Sequence, residues 1–592
     1  MANTVHSVAD SGLKVVTRCA WLVLSLSLGV LACSSSGSDA NAGGSGNSAG
    51  TSASSSGNAG SSSAGATSSA GSTSNGGSSA VAGASGSGGV SSVGGASGAA
   101  GTAGSAGASG AAGGGNLPPA VGANTPFISY EAEAGTLGGG AAIVALTSPP
   151  TSQFSSPELE SSGHAYVALK TTGDYVEWKN QTGKSITFVN VRASIPDAPN
   201  GYGMTATLDL YVNGSMRQTL TLNSKQTYGY EGNNHYNNES QTPSDGNPRT
   251  FWDEYHGFLM GAPLAPNDTI RLQKSAANSA NFYDIDVIDL EAPPPPASQP
   301  PGSLSIADYG AKSNDPNTDN TTSIQNAIND AQSQKKTLWI PQGTFYFKST
   351  SGLTATGITI EGAGMWYSTV YRNLNLPNNT PLGAIFNLDS CHVHAFALDS
   401  NAQSRQSVDG AGGGMDTTGT NWTADAIWTQ HTESGFWASG TGGTVMNCRL
   451  IAIWADGCNL NNVSRGATVG TGITAKNNFV RGTGDDGIAI NSVNYNGNQM
   501  YTPMSNITIE NNTSIAMWGG KGVAIYGGSG HIVQNNYMSD TARYIGLGVG
   551  KFGVNGSDLT SGTVSGNVVV RCGGNAYMQQ QPALHIGNGG DG

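Results

Sequence analysis

Three aspartates offer the clearest chemistry in this chain. Trp454-Ala455-Asp456-Gly457 is followed by Gly484-Asp485-Asp486-Gly487, so a lone Asp-Gly precedes an Asp-Asp-Gly. Aligning the chain on Gly435, Gly457, Gly487 and Gly522 places Ser434, Asp456, Asp486 and Lys521 in one column. If successive strands stack at about 4.8 Å, Asp456, Asp485 and Asp486 share one small patch. Carboxylates that crowded push at least one pKa upward. One protonated carboxyl to feed a leaving oxygen and one ionised carboxylate to activate water is what glycosyl transfer to water needs. Two other readings stand beside it. Asp-Gly is a common turn signal, which accounts for Asp456 and Asp486 singly but not for Asp485 or the stacking. Alternatively, the carboxylates hold a cation while a basic residue abstracts a proton, the chemistry of a lyase.

Such a column needs stacked coils to hold it. Asn447, Asn478, Asn512, Asn536 and Asn567 recur before apolar strands at intervals of 31, 34, 24 and 31 residues, the signature of a solenoid whose asparagines bond up a ladder. Gly and Asn interrupt every apolar run, which excludes a helical reading. Upstream, Ile306-Ala307-Asp308-Tyr309-Gly310-Ala311, a helical stretch from Asp319 to Gln334 and then Leu338 to Phe345 follow in order. This order resembles the opening of pectate-lyase-type right-handed β-helices, so a right-handed parallel β-helix is expected over 303–592. The chain stops at His585-Ile586-Gly587-Asn588-Gly589-Gly590-Asp591-Gly592 without a closing element, so truncation at the C-terminus is expected.

Residues 125–292 read differently. Short alternating strands such as Asp174–Trp178, Ile186–Val191, Ala206–Val212 and Thr269–Gln273, with Asn213-Gly214 as a hairpin turn, indicate an all-β sandwich. Tyr130-Glu131-Ala132-Glu133-Ala134, Gly173–Trp178 and Tyr283–Asp289 resemble carbohydrate-binding modules of families 6 and 35. That resemblance implies a structural Ca²⁺ held by Glu131, Glu133 and Asp289, carboxylates of the kind this hard ion prefers. The bland alternative is that all three are solvated strand-face charges. Trp178, Tyr228, Tyr230, Tyr236 and Trp252 are candidates to stack on sugars, although burial is the commoner fate of aromatics. A proline-rich linker, 293–302, separates this unit from the solenoid.

The 592 residues hold 87 Gly, 25 basic and 38 acidic side chains, a net charge of −13. Excess negative charge argues against nucleic acid or an acidic polymer as partner and suits a neutral polysaccharide. Residues 34–124 are almost all Gly, Ala, Ser, Thr and Asn, which cannot offset their chain entropy by burial and are expected to form a disordered tether. Before them, Lys14 and Arg18 precede an apolar run from Ala20 to Ala32, too short to span a bilayer, which reads as a signal peptide over 1–33. Its end, Val30-Leu31-Ala32-Cys33-Ser34, resembles the lipobox of bacterial lipoproteins, with Cys33 as the lipidated residue. The expectation is an exported monomer, held at the outer membrane or cell surface by its lipid, or secreted. Cys391, Cys448, Cys458 and Cys572 lack metal spacing; one disulfide or buried thiols both remain open.

Ala426–Thr432, Trp454–Gly457, Gly484–Ile490, Val523–Gly528 and Ser539–Ala542 resemble glycoside hydrolase family 87, the α-1,3-glucanases and mycodextranases. The resemblance covers most of the chain from 125 onward. It implies hydrolysis of a neutral α-glucan with inversion, Asp456, Asp485 and Asp486 sharing the acid and base roles without a catalytic cofactor. It also implies that His431, Lys521, Arg543 and Tyr544 flank the cleft and that Trp454 and Trp518 are sugar platforms. Family members run several coils beyond residue 592. The Asp, Asp-Asp pattern is shared with polygalacturonases, but their Gly-His-Gly and Arg-x-Lys are missing, His531 lying in Gly530-His531-Ile532. A polyuronate-acting enzyme and a non-catalytic glucan-binding surface protein are the alternatives.

Overall fold

The computed structural model describes residues 121–231, 240–374, 382–403, 413–496, 499–576 and 579–590. The signal segment, Cys33, most of the expected tether and Tyr236 lie outside the described residues. No helix among the described residues is long and apolar enough to cross a membrane. The described residues fall within one compact unit.

Its first part is two antiparallel sheets over a shared core. One sheet orders Asp253–Phe258, Phe188–Ser194, Tyr283–Glu291, Ala165–Leu169 and Ala142–Ala145, with Phe127–Glu131 also on Tyr283–Glu291. The other orders Thr136–Gly138, Tyr175–Lys179, Thr269–Gln273, Thr205–Val212 and Ser215–Asn223. Val167, Val189, Val191, Ile285 and Ile288 of the first meet Val176, Leu208, Leu210, Ile270 and Leu272 of the second. The expected hairpin forms at Asn213-Gly214, where both residues take positive φ (50° and 76°), as a turn matched to strand twist requires.

The second part is a parallel β-helix. Nine strands from Leu353–Thr356 to Leu584–Gly590 make one parallel sheet, and 17 strands from Leu304–Ser305 to Val568–Val570 make the rest of the wall. The helix Thr321–Gln334 covers the first coil, turning Ile324, Ala327, Ile328 and Ala331 into the core beside Leu338 and Leu353. Asn478 Nδ2 donates to Asn512 Oδ1, Asn512 to Asn536 and Asn536 to Asn567, each at 2.9 Å. Asn447 is not on this ladder. Cys448 takes the ladder position, its N–H bonding Asn478 Oδ1, while Asn447 stacks with Asn477 in a neighbouring column of left-handed residues (φ 56° and 54°). Asparagine suits both columns, the inner by its amide and the outer by its tolerance of positive φ, which is why period alone merged them. All four described cysteines are free thiols.

The two parts are tightly docked. Tyr283–Glu291 and Phe188–Ser194 are buried at every position, because one face packs on the sandwich core and the other on the β-helix. Arg481 bonds both oxygens of Glu254 (2.7 and 2.7 Å) and Asp289 (2.7 Å), and Arg449 bonds Glu291 (2.5 Å). Phe127 meets Phe479 edge-on at 5.0 Å. The proline segment is held as well, Ala297 N–H on Ala363 O and Tyr367 Oη–H on Pro294 O.

The carboxylates expected to hold calcium lie beside this docked face. Glu131, Glu133 and Asp289 do not converge: Asp289 faces Arg481, Ser129 and Asn190 instead. Glu131 is linked through Ser162 to Asp286, and Asp286 is paired with Arg192. Burial and neighbouring acids push Glu131 up to about 8 and Glu133 up to about 7, so both approach the neutral form. Asp289 is buried at the docked face, and Glu131 and Glu133 are half-buried. Trp178, Tyr228, Tyr230 and Trp252 are buried too and present no open ring to a sugar.

Candidate active site

The glycine column forms as the alignment requires. Gly435 N–H bonds Asp456 O, Gly457 N–H bonds Asp486 O, Gly487 N–H bonds Lys521 O and Gly522 N–H bonds Ile545 O. Glycine is needed because a Cβ on Gly457 would lie 2.5 Å from Gly487 O, and one on Gly487 would lie 2.6 Å from Gly522 O. These turns join Arg449–Ile453 to Cys458–Asn461, Phe479–Thr483 to Ile488–Asn491, and Thr513–Ile515 to Val523–Tyr526. Each coil therefore presents its turn residue on the same edge.

One oxygen from each of Asp456, Asp485 and Asp486 lies within 4.8 Å of the others. Asp456 and Asp486 are buried, whereas Asp485 is half-buried and opens toward solvent. Both oxygens of Asp486 are engaged: Oδ1 accepts Lys521 N–H (2.8 Å) and Oδ2 accepts the Tyr526 hydroxyl (2.7 Å). Lys521 Nζ in turn donates to Tyr526 Oη at 2.7 Å and lies 4.5 Å from the Tyr544 ring centroid. Burial and Asp485 push the Asp486 carboxyl up to about 6, against the opposing pull of Lys521 and Tyr526. A carboxyl poised there holds its proton in mild acid and releases it near neutrality, as a general acid or base must.

Lys521 and Tyr526 therefore stand beside the three aspartates, with Tyr544 against Lys521. The others are placed elsewhere. His431 does not face the three aspartates; it bridges Asp253 of the sandwich (2.8 Å) and Asp399 of the β-helix (2.9 Å). Those two carboxylates hold it protonated, its pKa raised to about 10 against the cost of burial. Arg543 reaches the sandwich, donating to Gln153 O. Trp454 and Trp518 are not open platforms, because both are buried edge-to-face at 6.0 Å, with Trp454 Nε1 donating to Ala402 O. Over Trp518 lies Arg249 from the sandwich, 4.7 Å from the ring centroid and bonded to Trp518 O at 2.9 Å. No local pattern marked Arg249, since its partner is 269 residues away. Tyr526 carried a weak signal: it ends the strand that follows Gly522 in the aligned column.

With this geometry in hand, known proteins can be set beside it. Domain D1 of the α-1,3-glucanase catalytic domain matches residues 124–292, and domain D2 matches 317–588. The chain belongs to this glycoside hydrolase family. Domain D1 coincides with the sandwich, so in this family that unit counts as part of the catalytic domain. Among solved structures, the Agl-KA catalytic domain is 29% identical, with a TM-score of 0.70 over 80% of this chain and 82% of that one. The catalytic unit of the thermostable family 87 α-1,3-glucanase from Streptomyces thermodiastaticus is also 29% identical, with a TM-score of 0.61 over 78% of each chain. A family 87 α-1,3-glucanase catalytic domain solved with nigerose, 24% identical, has a TM-score of 0.65 over 79% of this chain and 82% of that one, and speaks to the fold alone. No curated protein matches this chain.

Proposed function

We propose that this protein hydrolyses α-1,3-glucan at the three-aspartate turn column. The single observation that carries the proposal is the cluster of Asp456, Asp485 and Asp486 next to a buried Lys521–Tyr526 pair. In this reading Asp486, raised by burial, and its neighbours divide two tasks: one carboxyl protonates the departing glucosyl oxygen, and an ionised one takes a proton from the attacking water. The family supports an α-1,3-glucan as substrate and right-handed winding of the coils. The sandwich acts as a wall of the catalytic unit, with Arg249 over the Trp518 turn, more than as a detached sugar-binding module.

Family resemblance supports inversion over retention. The anomer of the first product, followed by proton NMR during cleavage of α-1,3-gluco-oligosaccharides, decides between them: β product means inversion, α product means retention. A lyase acting on a polyuronate would instead yield an unsaturated, ultraviolet-absorbing product that a calcium chelator abolishes.

We also infer export and attachment through lipid on Cys33, with the Gly/Ser/Ala stretch as tether, supported by the Val30–Ser34 sequence. Membrane fractionation of wild type and Cys33→Ala tests this, since the variant should leave the membrane fraction.

A further inference from the structure

We propose that the crevice where the sandwich meets the β-helix, beside His431, is a second carbohydrate site that holds a pyranose of the glucan chain away from the three aspartates. The inference rests on the glucan reading above. The crevice encloses about 180 Å³ and is lined by Thr221, Asn223 and Asp253 of the sandwich and by Asp399, Gln430 and His431 of the β-helix.

Its chemistry is that of a site built for a ligand rich in donors. Gln430 is only 2% exposed; its Nε2 donates to Glu254 O at 3.0 Å, which fixes the amide orientation, and its Oε1 has no partner. A buried amide oxygen without a donor is unfavourable, a deficit that a ligand hydroxyl removes. Asp253 and Asp399 both accept through Oδ1, from His431 and from the backbone N–H of Glu254 and Ser400 respectively. Among the described residues, Oδ2 of neither carboxylate accepts a hydrogen bond, so each keeps a second acceptor for a ligand.

Charge narrows the ligand class. His431 is protonated between the two carboxylates, so the three groups together carry one net negative charge with a cation already at their centre. A metal ion would meet that imidazolium, whereas a neutral polyol meets only acceptors. A stacking surface is adjacent. Tyr346, Tyr371 and Asp399 occupy one column of paired strands, and the two half-buried rings lie 5.2 Å apart. Such faces take the apolar side of a pyranose. His431 also opens the turn that carries Ser434 in the catalytic column, its N–H bonded to Ala452 O, so the crevice lies beside the coil that carries Asp456. A long glucan can occupy both places and a short one cannot.

The test uses the full chain and α-1,3-gluco-oligosaccharides of increasing length. Gln430→Leu removes the orphan acceptor, and Thr221→Trp places a ring on the exposed rim. In an Asp486→Asn background, titration calorimetry should show both changes weakening long oligosaccharides about tenfold or more. In the active background, Thr221→Trp should raise KM for polymer about tenfold, keep kcat, and leave cleavage of the shortest substrate unchanged. Affinity independent of both substitutions, equal losses at every length, or no binding at all overturns the proposal. The two readings fail separately. Crevice-dependent binding without hydrolysis by wild type contradicts the glucanase and keeps the site, while hydrolysis with crevice-independent binding does the reverse.

Discussion

The three-aspartate turns and the docking face both bury carboxylates, and they treat them in opposite ways. On the docking face, Glu254, Asp289 and Glu291 are matched by Arg481 and Arg449, with bidentate geometry and supporting bonds from Asn190 and Ser129. Arg481 and Asp289 there are held firmly in their charged forms, Asp289 below the usual carboxylate range by Arg481. In the turns, Asp456, Asp485 and Asp486 are placed against one another, and Asp486 rises to about 6. Pairing converts a buried carboxylate into structure; crowding converts it into a group that exchanges protons near neutrality. Lys521 supports Asp486 through its own backbone amide and through the Tyr526 hydroxyl, to which its ammonium donates.

The largest expected effect follows from removing the crowding. Asp456→Asn and Asp486→Asn should each lower kcat by about 10²–10⁴-fold, measured as reducing ends released. Stability should move the other way. A carboxyl raised on folding destabilises the native state above its folded pKa, and the cost disappears below its unfolded pKa. Asp486→Asn should therefore melt higher than wild type at pH 7 and equally near pH 3.5. An arginine site shows the converse. Arg481→Met leaves Glu254 and Asp289 buried without their cation, and should cost roughly 3–5 kcal/mol in denaturant unfolding while hydrolysis at low temperature changes far less.

The two regions also differ in how much of them the sequence displayed. Glycine marks close backbone approach, so Gly457 and Gly487 aligned the turns and placed Asp456 beside Asp486 without any coordinates. The β-helix, its capping helix and the Asn478–Asn567 ladder were legible for the same reason: each repeats a local demand every coil. The docking face repeats nothing. Asp284 and Asp286 alternate with apolar residues as on a half-exposed strand, and only the distant Arg481 explains why Asp289 is buried. The module resemblance grouped Asp289 with Glu131 and Glu133 around calcium, whereas its bonds run to Arg481, Ser129 and Asn190. His431, Trp454 and Trp518 lie in the right turns but face neighbours that no column predicts, namely Asp253, Ala402 and Arg249.

Smaller effects sharpen the contrast. Tyr526→Phe removes a hydrogen bond that favours ionised Asp486, so the matching limb of the pH–rate profile should move upward by up to about one unit with little loss of folding. If that limb stays fixed, Asp486 is not the group it reports. His431 tests the docking face by titration. Its pKa is raised on folding, so its contribution is complete below about pH 6.5 and is lost as pH rises through about 10. Thermal melts should fall between pH 7 and 10.5 more steeply in wild type than in His431→Gln.

The most direct test of the central claim is product release from α-1,3-glucan by the purified chain, with Asp486→Asn in parallel and polygalacturonate as control. The account predicts gluco-oligosaccharides from α-1,3-glucan, loss of that activity in the variant, chelator insensitivity and no ultraviolet-absorbing product from polygalacturonate. Soluble sugar released equally by wild type and Asp486→Asn, or none released from α-1,3-glucan by either, would contradict it.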